Sequence, residues 1–366
     1  MNVLALNAGS SSLKLAVFAI DGARETCVAR KEVAHAATGA GALDDATAGL
    51  GKIDAVGHRL VHGGPDHSAP VRVDATLRAA FDALVPFAPL HLPAELALLD
   101  AASARWPEAP QIACFDTAFH RTMPEVAQRF ALPRELFDAG VRRYGFHGLS
   151  YEYVVESVGV ANLGRAVIAH LGGGASMVAV REGRSVDTTM GLTPAGGLMM
   201  GTRPGDLDPG VLLHLMAKPS PDYQSPRHRR QGHRDLETLV NEHSGLLGVS
   251  GTTSDMKTLL EESHRDPRAA LALEMFCYVA RKFVGGLAAT LGGIDTLVFT
   301  GGIGEHAAPV RERICAGLGH LGVAIDPARN ALSERSVSHE PSACRVLVVP
   351  TDEERMVARH TARVLG

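Results

Sequence analysis

Short apolar or β-branched runs recur along the chain at Val3–Leu6, Leu13–Ile20, Ala55–Val61, Ile112–Phe115, Ala166–His170, Met177–Arg181, Thr296–Thr300 and Arg345–Val349. Each is bounded by turn-forming residues, and the pattern predicts a strand for each. Between them the apolar spacing lengthens to that of helices. Pro93–Arg105 has a proline entry, and Asp208-Pro209 opens a helix running to about Ala217 with Asp as cap and Pro in the first turn. The longest helical pattern, Asp266 to about Leu291, begins the same way and is apolar on most faces, as expected of a helix buried between layers or subunits. A last helix starts near Asp352. Strands alternating with helices predict an α/β fold.

Two segments echo each other. "VLALNAGSSSLKLAVF", from Val3, and "VIAHLGGGASMVAV", from Val167, both read apolar strand, small-residue turn with serine, apolar strand. These segments alone allow two readings: a duplicated domain offering two loops to one cleft, or two Gly-rich hairpins of independent origin. The first turn holds three serines, and Lys14 enters the second run, where burial is expected. A plain hairpin needs only Asn-Gly, so this turn points to a place where backbone meets an anion.

Composition narrows the class. A chain of 366 residues, 46% hydrophobic, can bury the cores of two domains. A net charge of -4 gives no electrostatic reason to expect nucleic acid or an anionic membrane as partner. The basic run Pro226–Arg234 has no interleaved aromatics and reads as a solvated loop. Five scattered cysteines, without a CxxC pair, form neither a disulfide framework nor a zinc site. Met1-Asn2-Val3 leads straight into the first strand, and no run of eighteen apolar residues is present. The expectation is a cytoplasmic protein.

Four glycine- or hydroxyl-rich turns follow strands: Gly9–Ser12, Gly172–Gly174, Gly201-Thr202 before Arg203, and "TGGIGEH" from Thr300. Glycine lets backbone N–H groups approach phosphate oxygens, and a following helix adds its positive end. None is a Walker loop. Charged groups stand in similar frames: Arg59 and His62 in "GHRLVHGG", Asp116 at the end of "QIACFD", His147 in "YGFHG" and Arg203 in "GTRPGD". A lone histidine in such a place is more often structural. Arginines in Gly-bounded turns more often reach for a carboxylate or phosphate.

"LNAGSSSLK", "GHRLVHGG", "FDTAFHRTMP", "YGFHGLS", "DTTMGLTPAGGLMMGTRPGDLDPG", "FTGGIGEH" and "PTDEE" stand in the order seen in acetate kinases, and the chain resembles that family from Met1 to the C-terminal helix. The resemblance implies the duplicated two-domain, actin-like (ribonuclease H-like) ATPase fold of the sugar kinase/Hsp70/actin superfamily, with a central nucleotide cleft. Domain I would be 1–118 plus 354–366, and domain II, the nucleotide-binding and dimerisation half, 119–353. The implied reaction is reversible transfer of the ATP γ-phosphoryl group to acetate. A small carboxylic acid has a pKa of roughly 4.3 and is ionised at pH 7. Its oxygen needs no general base, and the task is to bring two anions together.

By likeness, Arg59 and Arg203 hold acetate and the transferred phosphoryl group, and His147 donates to the same oxygens. Asp116 orients and balances charge. Asn7 and Glu353 hold Mg²⁺, or Mn²⁺ in its place, directly or through water. Ser10, Ser12 and Lys14 meet phosphate oxygens. ATP or ADP contacts fall to His170, Leu171, Gly172, Gly173 and Gly174, to Asp255, Met256 and Lys257, and to Thr300, Gly301, Gly302, Ile303 and Gly304. The acyl pocket has Val61, Leu90, Phe146 and Pro194 as walls, a space close to a methyl group. The implied partners are a small carboxylate and a nucleotide, with a homodimer as the assembly.

Three departures from the family pattern stand out. Gly173 replaces an asparagine, Met256-Lys257 replace Phe or Leu followed by Arg, and the stretch from Lys14 to Arg59 is shorter. The competing readings are a propionate or butyrate kinase of the same family, a non-transferring ATPase of the superfamily, and an inactive scaffold.

Overall fold

A computed structural model describes residues 1–9, 12–34, 40–217 and 236–366; Ser10 and the basic run Pro226–Arg234 lie outside these. The chain divides into two compact units, Met1–Val158 with Thr351–Gly366, and Gly159–Pro350. The expected bounds differ. Residues 119–158 join the first unit because the Gly148–Val158 helix packs under the C-terminal helix Glu353–Leu365. Glu353 belongs with them.

The first unit is built on a six-stranded sheet in the order β3-β2-β1-β4-β6-β5: β1 Asn2–Ala8, β2 Ser12–Asp21, β3 Arg24–Ala34, β4 Ala55–Leu60, β5 Val71–Arg72 and β6 Gln111–Phe115. Strands β1, β2 and β3 form an antiparallel meander, while β4 and β6 run parallel to β1. Both faces of β1 are covered. Val3 and Ala5 meet Met356 and Val357 of the C-terminal helix, and Leu4 and Leu6 face Ala102 of the Leu92–Arg105 helix. A strand buried on two faces is apolar throughout, as its sequence reads. Lys14, expected inside, is exposed: it shares a face with the buried Ala16 and Phe18 but stands near the start of β2, where its charge acts on Glu354.

The second unit repeats the plan. Its sheet runs β11-β10-β7-β8-β9, with β7 Ala166–Leu171, β8 Ala175–Arg181 and β9 Arg184–Thr188 as an antiparallel meander. Strands β10 Thr296–Thr300 and β11 Arg345–Val348 lie parallel to β7. Meander followed by two parallel strands is the order of both sheets, which favours duplication over chance for the hairpin echo. The long helix Pro267–Leu291, capped by the Asp266 carboxylate accepting from Arg268 N, buries Ala272, Phe276, Ala280, Val284 and Leu287. No helix among the described residues is long and apolar enough to cross a membrane.

Candidate active site

In the first unit the parallel strands deliver their chemistry at their C-terminal ends, where open α/β sheets bind ligands. Asn7 is near the end of β1, Arg59 is the penultimate residue of β4, and Asp116 follows β6. The Arg59 guanidinium forks onto Asp116. Its Nη2 donates to Oδ2 at 2.5 Å, and its Nε reaches both carboxylate oxygens at 3.1 Å. Nη1 donates to Asn7 Oδ1 at 3.2 Å and, more weakly, to Ala8 O at 3.4 Å. Burial works against the arginine's charge, but the carboxylates of Asp116, Glu353 and Glu95 outweigh it and hold its pKa above the ordinary value. Asp116 is fully buried, and burial lifts its pKa to about 6 against the pull of Arg59. At neutral pH the pair is ionised.

His147 is tied to the same aspartate. Its backbone N–H donates to the Asp116 carboxylate, and the neighbouring Gly148 N–H donates to Asp116 O at 2.9 Å. A Cβ at Gly148 would meet that oxygen at 2.1 Å, so only glycine permits the approach. His147 itself adopts φ +59°, a conformation that costs a non-glycine residue energy and recurs at functional sites.

Asn7 Nδ2 donates to Glu353 Oε2 at 2.9 Å and to Glu354 Oε1 at 2.8 Å. Both glutamates open the C-terminal helix, behind the Asp352 cap. Glu354 is pushed above the usual carboxylate range by burial and by Glu353 beside it. Two neighbouring carboxylates and only oxygen donors suit Mg²⁺, which keeps several waters and needs few protein ligands. Among the described residues no group of three or more His, Cys, Asp or Glu is placed to hold a metal alone. Asn7 turns its own oxygen to Arg59, so its amide steers the glutamates.

Two expected phosphate contacts look different in place. The Ser12 hydroxyl donates to Glu32 Oε1 at 2.6 Å, a surface bond across β2 and β3. Ser10 lies outside the described residues. Of the acyl walls in this unit, Val61 and Phe146 are buried, whereas Leu90 is 45% exposed.

In the second unit three loops converge. Gly201 N donates to Gly173 O at 3.2 Å, joining the "GTRPG" loop to the turn between β7 and β8. Gly301, at φ +76°, lies so close to that turn that a Cβ would come within 2.8 Å of Leu171 O and 3.1 Å of His170 Nε2. Thr300 Oγ1 is buried and has no hydrogen-bond partner among the described residues. Gly301 N donates to Glu305 Oε1, within the short helix Gly301–His306 that also carries Gly302, Ile303 and Gly304. Nothing lies within 4 Å of a Cβ at the exposed Gly173, and Gly172 and Gly174 flank it on the turn, half-buried.

Arg203 differs from Arg59. It is 9% exposed, and its Nη1 donates to Pro194 O at 2.5 Å. No carboxylate pairs with it among the described residues, and burial alone draws its pKa down to about 10. It remains charged at pH 7 without a counter-ion, which is costly unless an anion arrives. Asp255 spends its carboxylate on the helix Met256–Glu262, accepting from Thr258 N at 2.8 Å and Thr258 Oγ1 at 2.7 Å. Met256 is buried and Lys257 exposed, so of these three lysine alone offers a free side chain to the surface.

Sequence reasoning passed over Glu95 and Glu354. Glu354 is the second acid of "PTDEE". Glu95 stands between Leu92 and Leu96 on the buried stripe of its helix, and an acid in an apolar stripe was the available signal. Its Oε2 accepts from Val61 N at 2.8 Å, and burial pushes its pKa up to about 8.

Known proteins carry the same plan. The model of the acetokinase family matches residues 43–359. Acetate kinase of Rhodopseudomonas palustris is 49% identical over 321 residues, covering 86% of this chain and 77% of that one. Acetate kinase of Rhizobium meliloti is 42% identical over 399 residues, covering 100% and 98%. Two crystal structures superpose closely. Porphyromonas gingivalis acetate kinase has 36% identity and a TM-score of 0.84 over 100% of both chains. A propionate kinase from Francisella tularensis has 35% identity and a TM-score of 0.87 over 99% of both. By sequence over most of its length and by the build of both units, the chain belongs to the acetokinase family.

Proposed function

We propose that the protein is an acetate kinase, transferring the γ-phosphoryl group of ATP to acetate and forming acetyl phosphate and ADP, reversibly. The observation that carries this reading is Arg203, a buried guanidinium paired with no acid among the described residues. Such a group calls for an anionic ligand. A superfamily ATPase that transfers no group to a substrate has no use for it, nor for the Arg59–Asp116 pair beside Val61 and Phe146.

The acetate oxygen attacks the γ-phosphorus as the bond to the β,γ-bridging oxygen breaks, and ADP carries away the electron pair. No proton moves at the nucleophile. Asp116 fixes the Arg59 fork by two-point hydrogen bonding and Asn7 holds Nη1, so that the guanidinium is preorganised for anionic oxygens. Arg203 supplies uncompensated positive charge, and His147, held by its backbone to Asp116, is the further donor. Mg²⁺, or Mn²⁺, would be held by Glu353 and Glu354 as Asn7 orients them, neutralising phosphate charge when bound. The glycine turns at His170–Gly174 and Thr300–Gly304, with Lys257, form the nucleotide side. Domain II is the nucleotide-binding and dimerisation half, and the protein works in the cytoplasm as a homodimer.

Val61, Phe146 and Leu90 of the first unit wall the acyl pocket. Relatives of this chain include a propionate kinase, and a pocket rejects one extra methylene by at most roughly 200-fold. A hydroxamate assay with ATP-Mg²⁺ and acetate, propionate or butyrate should give the highest kcat/KM with acetate and a lower, measurable one with propionate. Equal or better turnover of propionate or butyrate would reassign the substrate.

A further inference from the structure

Strand β4 pairs with β6 only as far as Leu60, opposite Phe115, and Asp116 N then closes onto Leu60 O at 3.0 Å. The next backbone donor, Val61 N–H, has run past the sheet and is buried. An unpaired buried N–H is rare because nothing replaces its lost water. Its partner here is a side chain: Glu95 Oε2, 2.8 Å away. The same carboxylate holds its Oε1 3.8 Å from Arg59 Nη1, and that oxygen has no hydrogen bond of its own. Glu95 is 2% exposed. A glutamate serving only the Val61 amide would be replaceable by a backbone carbonyl or a glutamine. An acid here also sets a carboxyl oxygen beside the Arg59 guanidinium, a second contact besides Asp116.

Arg59 is the penultimate residue of β4, and Val61 is the first residue past its end. Glu95 touches both, from the first turn of a helix whose buried stripe is Leu92, Leu96, Leu99 and Ala102. We propose that Glu95 is a positioning residue of the carboxylate subsite: one oxygen locks the Val61 backbone that walls the acyl pocket, the other steadies the Arg59 guanidinium, and together they set how tightly the small carboxylate is held. This rests on the acetate kinase reading above. Glu95 touches no reacting atom, and its effect reaches the substrate only through those two residues.

The test compares three variants with the unaltered protein, measuring KM for acetate and for ATP separately, and the propionate-to-acetate ratio of kcat/KM. Glu95→Ala removes both contacts. Glu95→Asp keeps a carboxyl group but withdraws it by one methylene from Val61 N, and stands in if Glu95→Ala does not fold. Glu95→Gln keeps an acceptor for Val61 and the side-chain shape. The expected result is a rise of about 10-fold or more in acetate KM for Glu95→Ala and Glu95→Asp, with ATP KM within about twofold and the propionate-to-acetate ratio raised. Glu95→Gln should restore the propionate-to-acetate ratio, because it still holds Val61 N, but leave acetate KM raised, because it offers Arg59 no acid; full recovery of acetate KM would overturn the Arg59 half of the proposal. Acetate KM within twofold of the unaltered value in folded Glu95→Ala or Glu95→Asp overturns the proposal. So does an equal rise in acetate and ATP KM, which marks general damage. If the unaltered protein makes no hydroxamate from acetate, the functional reading fails first, and the two failures are thereby distinct.

Discussion

Arg59 and Arg203 are both buried guanidinium groups, yet their surroundings ask for different things. Arg59 is neutralised within its own unit by Asp116 at 2.5 Å, with Glu95 and Glu353 just beyond hydrogen-bonding range. Arg203 has the Pro194 carbonyl and, among the described residues, no acid. Removing a donor aimed at developing charge typically costs about 10²–10³ in kcat. Arg203→Ala should lose at least that much while remaining folded, since the substitution takes away an uncompensated buried charge and strands no partner acid. Steady-state kinetics alongside thermal unfolding check both halves; full turnover in the variant would remove Arg203 from the site. Asp116→Ala should behave in the opposite way, because it leaves Arg59 buried beside weaker neighbours.

At the scale of elements, the C-terminal helix is the piece that joins chemistry to stability in the first unit. It brings Glu353 and Glu354 to Asn7 at one end and covers the sheet with Met356, Val357 and Ala358 behind them. The close approach depends on Gly57 in β4, where a Cβ would stand 2.2 Å from Thr361 Oγ1 and 2.6 Å from Val357 Cγ1. Gly57→Ala therefore pushes the helix outward, and overpacking of this kind costs about 1–3 kcal/mol. Urea unfolding should show that loss; an unchanged midpoint would mean the helix yields freely. The strands that carry the site were readable from sequence because both their faces are buried and they run apolar. Strands β3 and β9 were not, since "RETCVARKEVA" and "RSVDT" are polar, charged outer strands whose pairing depends on a neighbour already in place. The same limit applies to side chains. Motifs marked Arg59, Asp116 and Arg203, but the direction of the Ser12 hydroxyl, or of the Asn7 amide, follows from partners far along the chain.

For the whole molecule, duplication leaves one asymmetry that bears on assembly. The long helix of the second unit buries one face against its own sheet and leaves Leu271, Met275 and Tyr278 at 50%, 39% and 58% exposure. Their spacing of four and three residues puts them on one stripe. In the same unit, the Pro209–Ala217 helix buries no residue and exposes Val211, Leu213 and Met216. Isolated apolar side chains on a surface need no explanation, but aligned ones on the face opposite a buried stripe do. A second copy of the chain is the occupant that the proposed homodimer requires, and a two-fold interface would bring this stripe against its own image. Light scattering should then give a dimer for the unaltered protein. Leu271→Asp combined with Tyr278→Asp should give a folded monomer, because two carboxylates facing their symmetry mates add both desolvation and like-charge cost. Two results would dissociate this helix from assembly: an unaltered protein that is monomeric at micromolar concentration, or a double variant that still pairs.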